Sequence, residues 1–195
     1  PNKPDDTPHT ITTQAAGVVI NYKGELCGVV GGLGQKTENR GFNRGTEMER
    51  QVGSTMKGVA AYPLGIDMDL INYSFVLMDD YFPISDGKGG TRTDWPSNWS
   101  GRYSHSMTTV YEALKQSLNT VAVRVGDMVT PRTMFEFARD TLGITTLDEN
   151  SDVDLAPMVL GATTTGLSPY ELAGAYMMYG DGGRMTSLHS YTSVR

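Results

Sequence analysis

The chain has 195 residues, 38% of them hydrophobic, enough to bury one substantial core. No apolar run approaches the roughly eighteen residues that a membrane-spanning helix needs. A formal charge of −6, with no segment combining clustered Lys/Arg and interleaved aromatics, argues against nucleic acid as a partner. The single cysteine, Cys27, excludes an internal disulfide and reads as a small buried strand residue.

In chain order, residues 1–11 carry prolines and charge and read as a linker or disordered N-terminus, with one domain following over 12–195. Ala15 to Tyr22 and Glu25 to Gly31 are rich in Val and Ile and are joined by Lys23-Gly24, which predicts a β-hairpin. Gly31 to Gly45 holds five glycines and reads as a long loop. Thr55 to Tyr62 then predicts a helix of two to three turns, stopped by Pro63.

Met78 to His105 is a second long irregular stretch, with Trp95, Trp99 and Tyr103 expected to anchor it. Its acidic residues Asp79, Asp80 and Asp86 read as solvated. Thr109 to Glu112 has the spacing of a capping box, and Val110, Leu114 and Leu118 recur along one helical face, with the helix ending near Gln116. Thr130-Pro131 opens a helix whose apolar stripe is Met134, Phe135, Phe137, Ala138 and Leu142. Ser168-Pro169-Tyr170-Glu171 combines a capping box with a proline at the first helical position; Gly180, Gly182 and Gly183 are its stop signals. Leu188 to Val194 has weak β character. The dispersed His9, His105 and His189 form no metal-like cluster, so no metal or cofactor is expected.

Two motifs carry chemistry. In Ser54-Thr55-Met56-Lys57, a serine opening a helix would share one face with a lysine one turn on, with Cβ atoms about 5–6 Å apart, and an amine there can take a hydroxyl proton. Ser117-Leu118-Asn119 follows another helical pattern, in the break before Val121. Alone, the first motif is weak: Ser-x-x-Lys arises by chance about once in a chain with this many serines and lysines. A second match, Ser85 to Lys88, sits among glycines 87, 89 and 90 and reads as a loop coincidence. On spacing alone, Ser54 is equally an N-cap, Lys57 a solvated residue and Asn119 a turn former.

Taken together, the hairpin, Arg-Gln-x-Gly-Ser-Thr-x-Lys (50–57), Trp-Pro-Ser-Asn-Trp-Ser-Gly-Arg-Tyr (95–103), Glu-Ala-Leu-Lys-Gln-Ser-Leu-Asn-Thr-Val-Ala-Val (112–123) and Gly-Leu-Ser-Pro-Tyr-Glu-Leu-Ala-Gly-Ala-Tyr (166–176) resemble the transpeptidase domain of class A penicillin-binding proteins. The resemblance implies an α/β (α+β) fold of the penicillin-binding-protein/β-lactamase-like type, a helical subdomain plus a partial antiparallel sheet. It also implies a serine D-Ala-D-Ala transpeptidase acting on peptidoglycan stem peptides and acylated by β-lactam antibiotics. Ser54 would be the nucleophile, Lys57 its base, Ser117 a proton relay to the leaving amine, and Asn119 a ligand of the substrate amide that also holds Lys57. The alternatives are a D,D-carboxypeptidase or slow β-lactamase-like relative, and a non-catalytic sensor or scaffold.

Three departures accompany the resemblance. Val52 stands where the family usually has proline and Gly58 where it often does, and no Lys-Thr-Gly occurs; Lys36-Thr37-Glu38 is elsewhere and lacks the glycine. The resemblance thus implies that residues 12–195 are the N-terminal portion of such a domain, by truncation or cleavage at Arg195. An associated C-terminal fragment carrying the third motif is then the expected partner. It further implies an extracytoplasmic place in a bacterial envelope, anchored by a segment outside this chain. Glu149-Asn150 is similar to the acidic loop pair with which serine β-lactamases activate water, but without the rest of that pattern it reads as a solvated loop.

Overall fold

The Val/Ile runs and the Lys23-Gly24 turn form the expected hairpin. Strand β1 (Gly17–Ile20) pairs antiparallel with β2 (Leu26–Val30), with Val18 opposite Val29 and Val19 opposite Gly28. The register shifts after Val19, so that Ile20 faces Leu26 and Cys27 is left unpaired. Cys27 is exposed, which corrects its expected burial: an extra residue in one strand escapes the inside–outside alternation of the ladder. This computed structural model describes residues 13–36, 39–85 and 89–193. The 1–11 segment with His9, the Thr37-Glu38 part of Lys36-Thr37-Glu38, Asp86 to Lys88 of the second Ser-x-x-Lys match, and Val194-Arg195 lie outside the described residues.

Pro63 does not stop a helix; it sits inside the first turn of one. A six-residue 3-10 turn, Gly53–Gly58, precedes helix α1 (Ala61–Asp67), with a break at Val59 and Ala60. Proline lacks the N–H that would bond the carbonyl four residues back, so an unbroken α-helix through this point is disfavoured. In a first turn the missing donor is an orphan in any case.

Short strands follow: β3 (Val76–Met78), β4 (Ile84–Ser85), β5 (Thr91–Arg92) and β6 (Met107–Thr109). β3 pairs with β6 and β4 with β5, both antiparallel. Helix α2 (Val110–Lys115) is capped by the Thr109 hydroxyl, which accepts from Glu112 N. Its buried face is Val110 and Ala113, not the 110/114/118 series, because the helix ends at Gln116 and Leu114 stays half-exposed.

Helix α3 (Asn119–Val129) is the centre of the core. It packs on α1, on α4 (Pro131–Glu136) and on α5 (Leu155–Leu160), burying Val123, Val125 and Val129 among Tyr62, Met134, Phe135, Met158 and Val159. A π-helical turn, Phe137–Thr141, extends α4, and Met134, Phe135, Ala138 and Leu142 are buried as their stripe predicts. Helix α6 (Pro169–Tyr176) has both halves of the capping box, then runs into a 3-10 turn, Met177–Gly180, and lies against β1. Of the expected C-terminal β character, only His189 pairs among the described residues, in a parallel bridge with Glu25. The result is mixed α/β: helices around α3 and small antiparallel sheets at the margins.

Candidate active site

Residues 50–58 are held from both sides. Arg50 exchanges backbone hydrogen bonds with Leu167 (3.1 and 2.9 Å), and Gly53, at φ +57, turns the chain into the 3-10 turn. In a 3-10 helix, side chains three apart eclipse, so Ser54 and Lys57 lie one above the other. Met56 is the buried anchor of the turn. Ser54 is exposed and is not the N-cap, a place taken by Val52; among the described residues its hydroxyl has no hydrogen-bond partner.

Lys57 is 1% exposed, and its amine points at the second motif instead. Nζ donates to the Ser117 carbonyl (2.7 Å), Ser117 Oγ (3.1 Å) and Asn119 Oδ1 (2.6 Å). Three acceptors match the three protons of an ammonium. Burial nevertheless wins, and the Lys57 pKa is lowered to about 8. The alternative of a solvated lysine is therefore excluded. The structure brings Lys57, Ser117 and Asn119 together, with Ser54 one 3-10 turn away and not bonded to them.

The second motif owes its shape to how α2 ends. Leu118 N donates to Ala113 O (2.8 Å) and Ser117 N to Leu114 O (3.0 Å), the paired bonds of a Schellman turn. Such a turn needs a left-handed residue after the helix cap. That residue is Ser117, at φ +54, where glycine is the usual occupant. The reversal aims both the carbonyl and the hydroxyl of Ser117 at Lys57.

Helix α3 begins without a cap of its own, since its N-cap is Leu118. Asn98 supplies one from the loop: Oδ1 accepts from the amides of Asn119 (2.9 Å) and Thr120 (3.4 Å). Asn119 Nδ2 donates to Ser97 O (2.7 Å), which turns Oδ1 of the same amide toward Lys57. Behind Asn98 lies Asp79, 4% exposed, accepting from Asn98 Nδ2 (2.9 Å), Thr120 Oγ1 (2.7 Å) and Ser104 N (2.9 Å). Burial pushes the Asp79 carboxyl up, but the hydrogen bonds from Thr120, Ser104 and Asn98 outweigh it and hold the group below the usual carboxylate range.

Asp79 is thus not the solvated loop residue its acidic neighbours suggest. A carboxylate with this many donors is stable inside, whereas adjacent acidic residues in a sequence say nothing about donors 19 to 41 residues further along the chain. Asp80 does meet solvent and binds His105 Nδ1 at 3.0 Å. Trp95 anchors the loop, edge-on to Phe82, but Trp99 is exposed and does not. Glu149 forms a surface ion pair with Arg132 (2.5 Å).

Two further residues reach the first motif: Tyr176, which closes the recognisable 166–176 block, and Tyr179, which lies just beyond it. Tyr176 Oη donates to Thr55 O and Tyr179 Oη to Gly58 O, each at 2.7 Å. Asn98 lay within a block recognisable by order and spacing, but its role as a borrowed cap appears only in three dimensions.

The model of the penicillin binding protein transpeptidase domain matches residues 15–195. Penicillin-binding protein 1A of Clostridium botulinum (strain Langeland) is 30% identical over 190 residues, covering 94% of this chain and 22% of the relative. Penicillin-binding protein 4 of Bacillus subtilis is 28% identical over 181 residues, covering 93% and 27%. This chain thus spans about a quarter or less of the curated relatives it matches. Among solved structures, penicillin-binding protein 1A of Haemophilus influenzae superposes with a TM-score of 0.69 at 24% identity, over 87% of this chain and 24% of that one. The PonA1 protein of Mycobacterium tuberculosis in complex with penicillin V gives 0.67 at 22%, over 90% and 46%. At those identities the likeness shows the fold, and the family model carries the assignment. The chain belongs to the penicillin-binding protein transpeptidase family, with class A penicillin-binding proteins as its relatives.

Proposed function

We propose that this chain carries the acylating centre of a peptidoglycan D,D-transpeptidase. Ser54 Oγ attacks the penultimate carbonyl of a D-Ala-D-Ala stem peptide and Lys57 takes its proton. As the tetrahedral intermediate collapses, the carbonyl–nitrogen bond breaks and the leaving D-Ala amine receives a proton through Ser117. Asn119 binds a substrate amide and holds Lys57. An amine from a neighbouring stem peptide then attacks the ester and regenerates Ser54. A β-lactam enters by the same first step, its ring amide taking the place of the scissile bond.

One observation carries this reading: a buried lysine amine in direct contact with both polar residues of the second motif, at 2.6 to 3.1 Å. With a pKa of about 8, roughly a tenth of the amine is neutral at pH 7, a few hundredfold more than for an ordinary lysine. A surface lysine would be a poor base by comparison.

The reading includes an associated segment that carries Lys-Thr-Gly and adds strands to the hairpin. The sequence holds no Lys-Thr-Gly, and β1–β2 leaves Val19 63% and Val30 59% exposed on a two-stranded sheet. The whole enzyme is placed at the outer side of the bacterial cytoplasmic membrane, in cell-wall synthesis, because its substrate lies there.

Incubation with a fluorescent penicillin, followed by peptide mapping, tests the centre. A stable adduct on Ser54 that Ser54→Ala abolishes supports the transpeptidase. Rapid loss of the adduct to water points instead to a carboxypeptidase or slow β-lactamase. No adduct in a sample whose intact mass includes the Lys-Thr-Gly segment removes the catalytic reading in favour of a scaffold. A lone species of about 21 kDa that nevertheless acylates removes the associated segment.

A further inference from the structure

The turn bearing Ser54 and Lys57 is not a finished helix. In a continuous α-helix Val59 N would bond Thr55 O; here Val59 N donates to Met56 O (2.9 Å), and the helix breaks before α1. Thr55 O and Gly58 O face the end of α6, and each is taken by a tyrosine hydroxyl 121 residues along the chain. The rings of Tyr176 and Tyr179 lie 5.7 Å apart, tilted by 41°, so that the two hydroxyls act as one fixture.

We propose that Tyr176 and Tyr179 are positioning residues for the candidate base, a two-point tether that holds the Ser54–Lys57 turn against Ser117 and Asn119. The inference rests on the proposed acylating role of Ser54 only for its kinetic readout. One wall of the Lys57 site, Ser117 and Asn119, is fixed by Asn98. The other wall is the 3-10 turn itself, whose two outward carbonyls have these hydroxyls as partners. Releasing them lets the turn retreat and water reach Nζ, which relieves the burial that disfavours the ammonium. Both tyrosines remain protonated donors at neutral pH, since burial foremost raises their hydroxyl pKa values, that of Tyr179 to about 12.

Gly58 belongs to the same device. A Cβ at residue 58 would stand 2.7 Å from Tyr176 Oη, closer than side chains pack. Tyr176 can therefore reach Thr55 O because residue 58 is glycine. A methyl group there would push the hydroxyl aside.

The test uses the 195-residue chain with Tyr176→Phe, Tyr179→Phe, the double variant and Gly58→Ala. Lys57 titration is followed by NMR of lysine labelled at Cε and Nζ, with Lys57→Arg for assignment, and the pH dependence of acylation is measured with a fluorescent penicillin. In the double variant the Lys57 midpoint should rise by at least about half a unit, with the rising limb of acylation moving equally, a loss of about threefold at pH 7.5. Gly58→Ala should reproduce the shift of Tyr176→Phe, and combining the two should add nothing. Unchanged titration and an unchanged limb, with only melting temperature lowered, would show a purely structural pair and overturn the proposal. If the wild-type chain is not acylated even in a sample that includes the Lys-Thr-Gly segment, the acylating role fails while the Lys57 titration still decides the tether.

Discussion

Gly161 backs onto Gly53, the residue before the candidate nucleophile: a Cβ on Gly161 would lie 2.6 Å from the Gly53 nitrogen. Gly161 is the left-handed cap that ends α5, at φ +69. Two demands meet there, a backbone conformation that side chains resist and a space that they would fill.

Gly161→Ala should therefore cost more than the strain alone. Gly143, at φ +71 with nothing near its missing Cβ, is the control. Gly143→Ala is expected to lose about 1–2 kcal/mol in urea denaturation, the usual penalty of a left-handed non-glycine residue. Gly161→Ala should lose about 3 kcal/mol or more and slow Ser54 acylation at least about tenfold, because the turn at Gly53 must move. Equal costs, with acylation untouched in both, would show that the contact does not position Ser54.

Ser117 presents the reverse case, a strained residue where glycine would relax the chain. At φ +54 it pays for its side chain with backbone strain. Ser117→Gly should raise stability by about 1 kcal/mol, while removing the hydroxyl that sits 3.1 Å from Lys57 Nζ and lowering acylation about a hundredfold or more. Thermal melting and penicillin labelling on one preparation measure both. A variant that is more stable and fully active would remove Ser117 from the mechanism.

Asn98 is the pivot between the loop and α3, with its amide bonded on both sides and only 2% exposed. Asn98→Ala leaves the Asp79 carboxylate short of a donor and α3 without its cap, an expected loss of about 2–3 kcal/mol. Thr120→Val removes one Asp79 donor but keeps the cap, and should cost less. Asn98→Ala should also raise the acylation defect above that of Thr120→Val, since Asn119 hangs on Asn98. If the order of the two variants is inverted in both stability and labelling, the cap is not what places Asn119.

What could be read in advance was local. The Ser168–Glu171 box, Thr130-Pro131 and the Lys23-Gly24 turn each depend on neighbours within four residues, and the structure has all three. The two motifs were also visible, though only their order and flanking blocks separated them from chance. The failures share a physical cause. Pro63 looks like a stop when only its missing N–H is considered, yet in a first turn that N–H has no intrahelical acceptor to lose. Asp79 and Trp99 were judged by residue type, while their burial depends on donors and packing supplied by distant segments. Likewise Lys57 bonds Ser117 and Asn119, 60 and 62 residues away, instead of the serine three residues before it.

The low Lys57 pKa carries a stability signature of its own. The native value is about 8 and the unfolded chain has an ordinary lysine near 10.4, so between these limits the unfolded state binds more protons. Folding stability must then rise with pH across this window, by up to about 1.4 kcal/mol per unit and about 3 kcal/mol in all. Below about pH 8 both states hold the proton and the slope vanishes. Burial raises the hydroxyl pKa values of Tyr62 and Tyr179, so the native state keeps those protons longer than the unfolded chain, and their contribution falls above about pH 10. Chemical denaturation from pH 7 to 11 should accordingly show a maximum near pH 10. In Lys57→Met the rising limb should disappear while the fall above pH 10 remains. A wild-type chain whose stability is flat or declining from pH 8 to 10, matched by Lys57→Met, would mean that the amine is hydrated in solution and unsuited to serve as the base.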